Sequence, residues 1–248
     1  MRYLAIISYD GSNYSGYQIQ PNQLTIQAVI EAALTKMHKG KCVKITASGR
    51  TDAGVHAYGQ VIHFDSELDI PESNWKKALN SLLPGDIVVL DVKQVSENFH
   101  ARFDAIKKTY IYTILNSADA NPFEINYCAH VKERLNVDLM NQALQDLIGE
   151  HDFTAFCAAN SYVKGDKIRT IYHASCQRVN NKVVFSVTGN GFLYNMVRII
   201  VGTLIEIGLG QRPATDIKRI IESMDRTQAG KTAPPQGLYL NAVEYDLK

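Results

Sequence analysis

The chain has 248 residues, 46% of them hydrophobic, with 26 lysines and arginines against 25 aspartates and glutamates. That apolar content supports one large core or two smaller ones, while a net charge of +1 lacks the basic excess that marks most nucleic-acid-binding domains. The four cysteines, Cys42, Cys128, Cys157 and Cys176, are far apart without a C-x-x-C pair, which argues against a zinc site or a disulfide framework and suits a reducing compartment.

The opening residues 1–10 have too short an apolar run for a signal peptide. The most apolar stretch, 192–209, is interrupted by Arg198 and Glu206, which argues against a membrane span. These features lead us to expect a soluble cytoplasmic protein. Basic residues do cluster, at Lys36, His38, Lys39, Lys41 and Lys44, at Lys107 with Lys108, and at Lys218 with Arg219. Segregation of this kind makes a positive face on a neutral protein, but it equally describes a solvated surface.

In chain order, residues 3–9 read as a strand ending at Asp10-Gly11, and Ile26, Val29, Ile30, Ala33, Leu34 and Met37 recur at helical spacing after Thr25. Strands at 43–47 and 58–65 follow, then a helix from Glu72 to Leu83 stopped by Pro84-Gly85, and a strand at 87–90. The order is βαββαβ, a ferredoxin-like unit. The second half repeats it with insertions: a strand over 109–115, a helix over 137–148, and strands at 170–178 and 182–189 meeting at Asn180-Asn181. An apolar helix at 192–208, a shorter one at 214–224 and a last strand at 238–245 complete it. Loops 116–127 and 158–168 are the long excursions, the second carrying Asn160, Lys164 and Lys167.

One loop stands out. Residues 47–57, Ala-Ser-Gly-Arg-Thr-Asp-Ala-Gly-Val-His-Ala, join two strands with more chain than a tight hairpin needs, and place Asp52 between Gly49 and Gly54 with Arg50 ahead and His56 behind. Taken alone, an aspartate there closes a turn onto its own backbone. Arg198 is the second residue of interest, a cation within an apolar helix whose nearest helical acid, Glu206, lies about 12 Å along the axis. It either snorkels to solvent or pairs with an acid from elsewhere in the fold. Tyr110 and Tyr112 alternate on a strand and so share a face. His56 and His63 lack Cys or carboxylate neighbours at metal-ligand spacing, so a structural hydrogen-bonding role is expected of both.

Gly-Arg-Thr-Asp-Ala-Gly-Val-His-Ala closely resembles the catalytic signature of the TruA family of tRNA pseudouridine synthases. The resemblance extends, in the family's order, over Tyr9 to Gln18, Phe99 to Phe103, Lys108 to Tyr112, His151 to Phe156, Arg169 to Ile171, Gly191 to Arg198 and Ala233 to Leu240. Tyr17, where a tryptophan is common, and Ile19, where an arginine is common, depart from it outside the signature.

The resemblance implies an α+β fold of two ferredoxin-like βαββαβ halves whose antiparallel sheets join into one continuous sheet around a central cleft. Residues 1–105 would carry the catalytic aspartate loop, and residues 106–248 the tyrosine strand and the arginine helix. It implies isomerisation of uridine to pseudouridine at positions 38, 39 and 40 of the tRNA anticodon stem-loop by a homodimer, with no metal and no cofactor. Asp52 would act as nucleophile or base, with Arg198 as its ion-pair partner. Tyr110 would stack on the flipped uracil, Arg50 contact the RNA, and Leu238 wall the pocket. Two other readings keep the fold: a non-catalytic tRNA-binding or folding protein, and a paralogous synthase with another RNA target. A glycoside hydrolase is set aside, because no second carboxylate accompanies Asp52 at a spacing such enzymes use.

Overall fold

The structure, a computed structural model, describes residues 1–158 and 165–247. The chain folds as two compact units, Met1–Ile106 with Tyr239–Lys248, and Lys107–Leu238.

The first unit contains β1 (Arg2–Tyr9), α1 (Ile26–Met37), β2 (Ile45–Ala47), β3 (His56–Asp65), α2 (Glu72–Leu82) and β4 (Ile87–Val95). β1 lies between β4 and β3, antiparallel to both, and β2 pairs with β3. The resulting order 4-1-3-2 is that of the expected βαββαβ unit. β10 (Leu238–Tyr245), read in sequence as the end of the second half, pairs in parallel with β3 through Tyr239 and Leu240.

Burial explains the elements. Thr25 caps α1 by accepting from the Ala28 N–H, and Ile26, Ile30, Ala33 and Leu34 give the helix its buried stripe. The rings of Tyr3, Phe64 and Trp75 pack within 5.6 Å of one another, joining β1, β3 and α2. A second cluster of Leu4, Val61, Phe99 and Ala101 occupies the other sheet face, with Val243 and Tyr245 against it.

The second unit holds β5 (Ala105–Asn116), β6 (Ala129–Val131), α3 (Val137–Leu144), β7 (Gly149–Asp152), β8 (Ile168–Val179), β9 (Lys182–Gly189), α4 (Met196–Gly208) and α5 (Asp216–Ser223). Its strands run β5-β9-β8-β7, antiparallel throughout, with β6 added in parallel to β5. Asn180 takes φ 55° in the β8–β9 turn, a left-handed conformation that asparagine tolerates.

The second unit departs from the sequence reading at the ends of two helices. The apolar helix begins at Met196 rather than 192, because Asn195 is left-handed (φ 60°) and halts helical geometry there. Helix α3 ends at Leu144, and residues 145–147 tighten into a 3-10 turn. Of the loop read over 158–168, residues 159–164, with Asn160 and Lys164, lie outside the described residues.

Candidate active site

In the first unit the loop 48–55 bridges β2 to β3, whose register pairs Ile45 with Phe64 and Ala47 with Ile62. The Ser48 N–H extends the ladder to the Val61 carbonyl at 2.8 Å, and the Val55 N–H donates to the Asp52 carbonyl at 3.1 Å. The Asp52 side chain is half-buried and Arg50 is exposed.

A second loop, residues 10–17, braces this one. Tyr17 donates its N–H to the Thr51 carbonyl at 3.0 Å. Gly16, at φ 91°, lies where a Cβ would meet the Thr51 carbonyl at 3.0 Å and Ala53 N at 3.2 Å, and a Cβ on Gly11 would overlap the Val55 carbonyl at 2.0 Å. Only glycine permits that approach of two backbones. The opening motif of the chain is therefore the backing of the aspartate loop. Tyr17 is buried against Tyr9, and its hydroxyl has no hydrogen-bond partner among the described residues. Ile19 is exposed.

Two further polar side chains complete the support. Gln60, fully buried on β3, accepts from Ser48 Oγ at 2.6 Å and donates Nε2 to the Gly49 carbonyl at 2.9 Å. The Tyr9 hydroxyl bonds Thr51 Oγ1 at 2.7 Å and also the Gln60 side chain, and burial pushes the phenol up to about 12. Gly49 and Thr51, on the N-terminal side of Asp52, are thus anchored from within the unit. Sequence reading missed Gln60 and Tyr9 as functional support, since a glutamine or tyrosine on a strand carries no chemical signature.

The histidines have structural placements. His56 Nδ1 sits 3.1 Å from both the Gly11 nitrogen and an Asp10 carboxylate oxygen, and its ring stacks on Tyr239, which stacks in turn on Tyr58. His63 Nδ1 accepts the Ala101 N–H at 3.1 Å, and burial, helped by Arg2 and His100, pushes its pKa down to about 4. Among the described residues no cluster of three His, Cys, Asp or Glu side chains is placed to hold a metal ion, and the four cysteines are free thiols.

In the second unit Tyr110 pairs with Val187 on β9, half-buried, its ring edge-on to Phe192 with centroids 5.1 Å apart. Tyr112 is buried and donates its hydroxyl to the Pro234 carbonyl at 2.7 Å, fixing the 234–238 segment that ends in the buried Leu238. Arg198 lies in the first turn of α4 and is half-buried. Its Nε donates to the Ala233 carbonyl at 2.8 Å and its Nη1 to Asn195 Oδ1 at 3.0 Å. Glu206 pairs instead with Arg212, which also bonds Asp216 at 2.9 Å.

The basic cluster near α1 is largely spent at home. Lys44 pairs with the buried Glu31 at 2.9 Å, Lys41 with Glu67 at 2.6 Å, and His38 bridges the Leu34 carbonyl and Ser66 Oγ. Arg219 likewise pairs with Asp216 at 2.7 Å.

The family model for tRNA pseudouridine synthase matches residues 5–104 and 143–246, most of the chain and both braced segments above. The chain belongs to the tRNA pseudouridine synthase family. It is 52% identical over 240 residues to the tRNA pseudouridine synthase A of Oceanobacillus iheyensis, covering 97% of this chain and 95% of that one. It is equally similar, at 52% over 247 residues, to the enzyme of the same name from Bacillus pumilus, covering 99% and 100%. The Listeria monocytogenes counterpart is 51% identical over 247 residues, 99% of each chain. A chain in the crystal structure of a Cbf5-Nop10-Gar1 complex aligns at TM-score 0.34 and 14% identity over 82% of this chain and 54% of its own. No helix among the described residues is long and apolar enough to cross a membrane.

Proposed function

We propose that this chain isomerises uridine to pseudouridine in tRNA, at positions 38, 39 and 40 of the anticodon stem-loop, as a cytoplasmic homodimer. The observation that carries the reading is the signature loop 47–57, intact and braced from behind, in a chain about half identical to synthases bearing that name. The reaction breaks the C–N glycosidic bond, turns the detached uracil and rejoins it through carbon. Nothing is oxidised and no group is transferred away, so the reading requires no cofactor and no metal.

Asp52 is the reacting carboxylate in this scheme. It attacks the sugar, adds to the uracil ring, or removes a proton so that a glycal forms, and each route requires its ionised form. Arg198 supplies the counter-charge. Tyr110, steadied by Phe192, stacks on the flipped base and Leu238 closes the apolar wall. Arg50, exposed beside Asp52, contacts the RNA. The aspartate loop thus belongs to the N-terminal half, residues 1–105, and the tyrosine and arginine to the C-terminal half, residues 106–248.

Asp52→Asn tests the assignment. The amide is nearly isosteric but can neither attack nor accept the proton, while phosphate contacts supply most of the affinity for tRNA. Release of tritium from carbon-5-labelled uridine in tRNA is expected to fall below a few per cent of wild type with the tRNA Kd within threefold. Retained release rejects Asp52 as the reacting group. Absence of pseudouridine formation by the wild-type protein, with tRNA binding intact, favours the non-catalytic tRNA-binding alternative.

A further inference from the structure

Asn195 occupies the N-cap of α4, a position where asparagine is among the best residues because its side chain accepts a backbone N–H of the first turn from an extended conformation. Here neither condition holds. The backbone is left-handed, φ 60° and ψ 6°, and the side chain makes no capping hydrogen bond. Its carbonyl still opens the helix, accepting from the Ile199 N–H at 2.9 Å. The side-chain oxygen accepts from Arg198 Nη1 at 3.0 Å instead.

A second tether reaches Arg198 from the opposite direction in sequence. Its Nε donates to the Ala233 carbonyl at 2.8 Å, while the Ala233 N–H returns to the Arg198 carbonyl at 3.0 Å. The Ala233 segment is itself fastened to α4, since Gly230 donates its N–H to the buried Thr203 hydroxyl at 2.9 Å. A guanidinium is a rigid planar fork, so holding it at Nε and at Nη1 fixes both its plane and its rotation. Glycine would take the left-handed turn without steric cost. Asparagine accepts that cost, gives up the cap, and offers an oxygen to the arginine.

We propose that Asn195 is a positioning residue for Arg198, holding the guanidinium in the orientation the reaction uses. The inference rests on the reading above, in which Arg198 is the counter-charge of the reacting carboxylate.

Two variants separate the turn from the tether. Asn195→Gly keeps the left-handed backbone and removes the acceptor, and Asn195→Asp keeps an oxygen at the same place. Nitrogen-15 NMR of the arginine side chains, in the full-length protein without RNA, reads the tether directly. Rotation of the Arg198 guanidinium is expected to speed up in Asn195→Gly and to remain slow in Asn195→Asp. With tRNA, Asn195→Gly is expected to lose about tenfold in kcat, the worth of one charge-assisted hydrogen bond, with KM within threefold. Asn195→Asp is expected to recover at least half of that loss on a logarithmic scale. Unchanged guanidinium rotation in Asn195→Gly overturns the tether itself. Faster rotation with wild-type kcat overturns the positioning role and places the fault in the assignment of Arg198 to the reaction. An Asn195→Asp variant no better than Asn195→Gly also overturns the proposal.

Discussion

Replacing Gln60 by methionine is expected to weaken both the fold and the reaction, although Gln60 touches no substrate in the proposed scheme. Its amide is fully buried and fully used, accepting from Ser48 Oγ at 2.6 Å, donating to the Gly49 carbonyl at 2.9 Å, and bonding the Tyr9 hydroxyl. Methionine preserves much of the volume and flexibility, so packing loss is small. What remains is a set of polar groups stripped of their partner, each costing about 1–3 kcal/mol when it stays buried. The Tyr9 hydroxyl retains Thr51, and Ser48 turns on its Cβ to another acceptor, so a net loss of about 2–3 kcal/mol is expected. For a chain of this size that lowers the Tm by about 4–12 °C.

The effect on turnover follows from position. Gly49 is three residues ahead of Asp52, and releasing its carbonyl frees the loop to shift by a fraction of an ångström, enough to cost about tenfold to a hundredfold in kcat. Gln60→Glu separates hydrogen bonding from packing. Its carboxylate still accepts from Ser48 but cannot donate to the Gly49 carbonyl, and it buries a charge as well, so it is expected to be no better than methionine. Melting by circular dichroism and tritium release on tRNA measure the two quantities on the same preparations. A methionine variant melting within 1 °C of wild type and turning over at the wild-type rate would refute the reasoning.

Two further outcomes are expected. His63 is 6% exposed with a pKa near 4, below the ordinary histidine value, so the unfolded chain binds a proton that the folded one does not between pH 6.5 and 4; stability therefore falls as the pH drops through that window and its contribution levels off below it. His63→Asn, which preserves an acceptor for the Ala101 N–H, should flatten the dependence, and Tm–pH curves parallel to wild type would exclude His63 as its source. Arg198→Met and Asp52→Asn, combined, should show a coupling of about 0.5–2 kcal/mol in thermal melting, the double variant being more stable than the sum of the single losses, because removing the carboxylate relieves the charge left without its arginine; strict additivity would mean that the two residues do not pair.

What was legible in the sequence was whatever a period or a punctuation residue records. The 3.6-residue stripe of α1, the Thr25 cap and the bounds of β10 read directly because one face of each element is buried and the ends carry turn or cap residues. β4 runs to Val95, past the expected end at 90, because Asp91, Lys93 and Gln94 look like loop until β1 supplies partners from Ile6 back to Arg2. The three-residue strands β2 and β6 are too short for any period to settle their bounds, and β6 falls between the 116–127 loop and the 137–148 helix, a stretch with no element expected in it. The site was legible as a signature but not as a mechanism of support. The glycines at 11 and 16 matter through Val55, Thr51 and Ala53, contacts that no local pattern records.

The start of α4 shows why the support was hidden. An apolar run from Phe192 onward looks like helix to any periodicity argument, and asparagine at 195 looks like a minor interruption. The left-handed backbone at Asn195 ends that reading and places Arg198 in the first helical turn instead of its middle. One residue therefore sets both where the helix starts and which oxygen the guanidinium meets. In the first unit the same economy appears in Gln60, whose single amide joins β3 to both residues that open the aspartate loop. Neutral polar contacts hold the backbone of the aspartate loop in the first unit and the Arg198 guanidinium in the second. In the proposed reaction, aspartate and arginine are then held in place before RNA binds, so binding energy from tRNA goes into extracting the base rather than ordering the site.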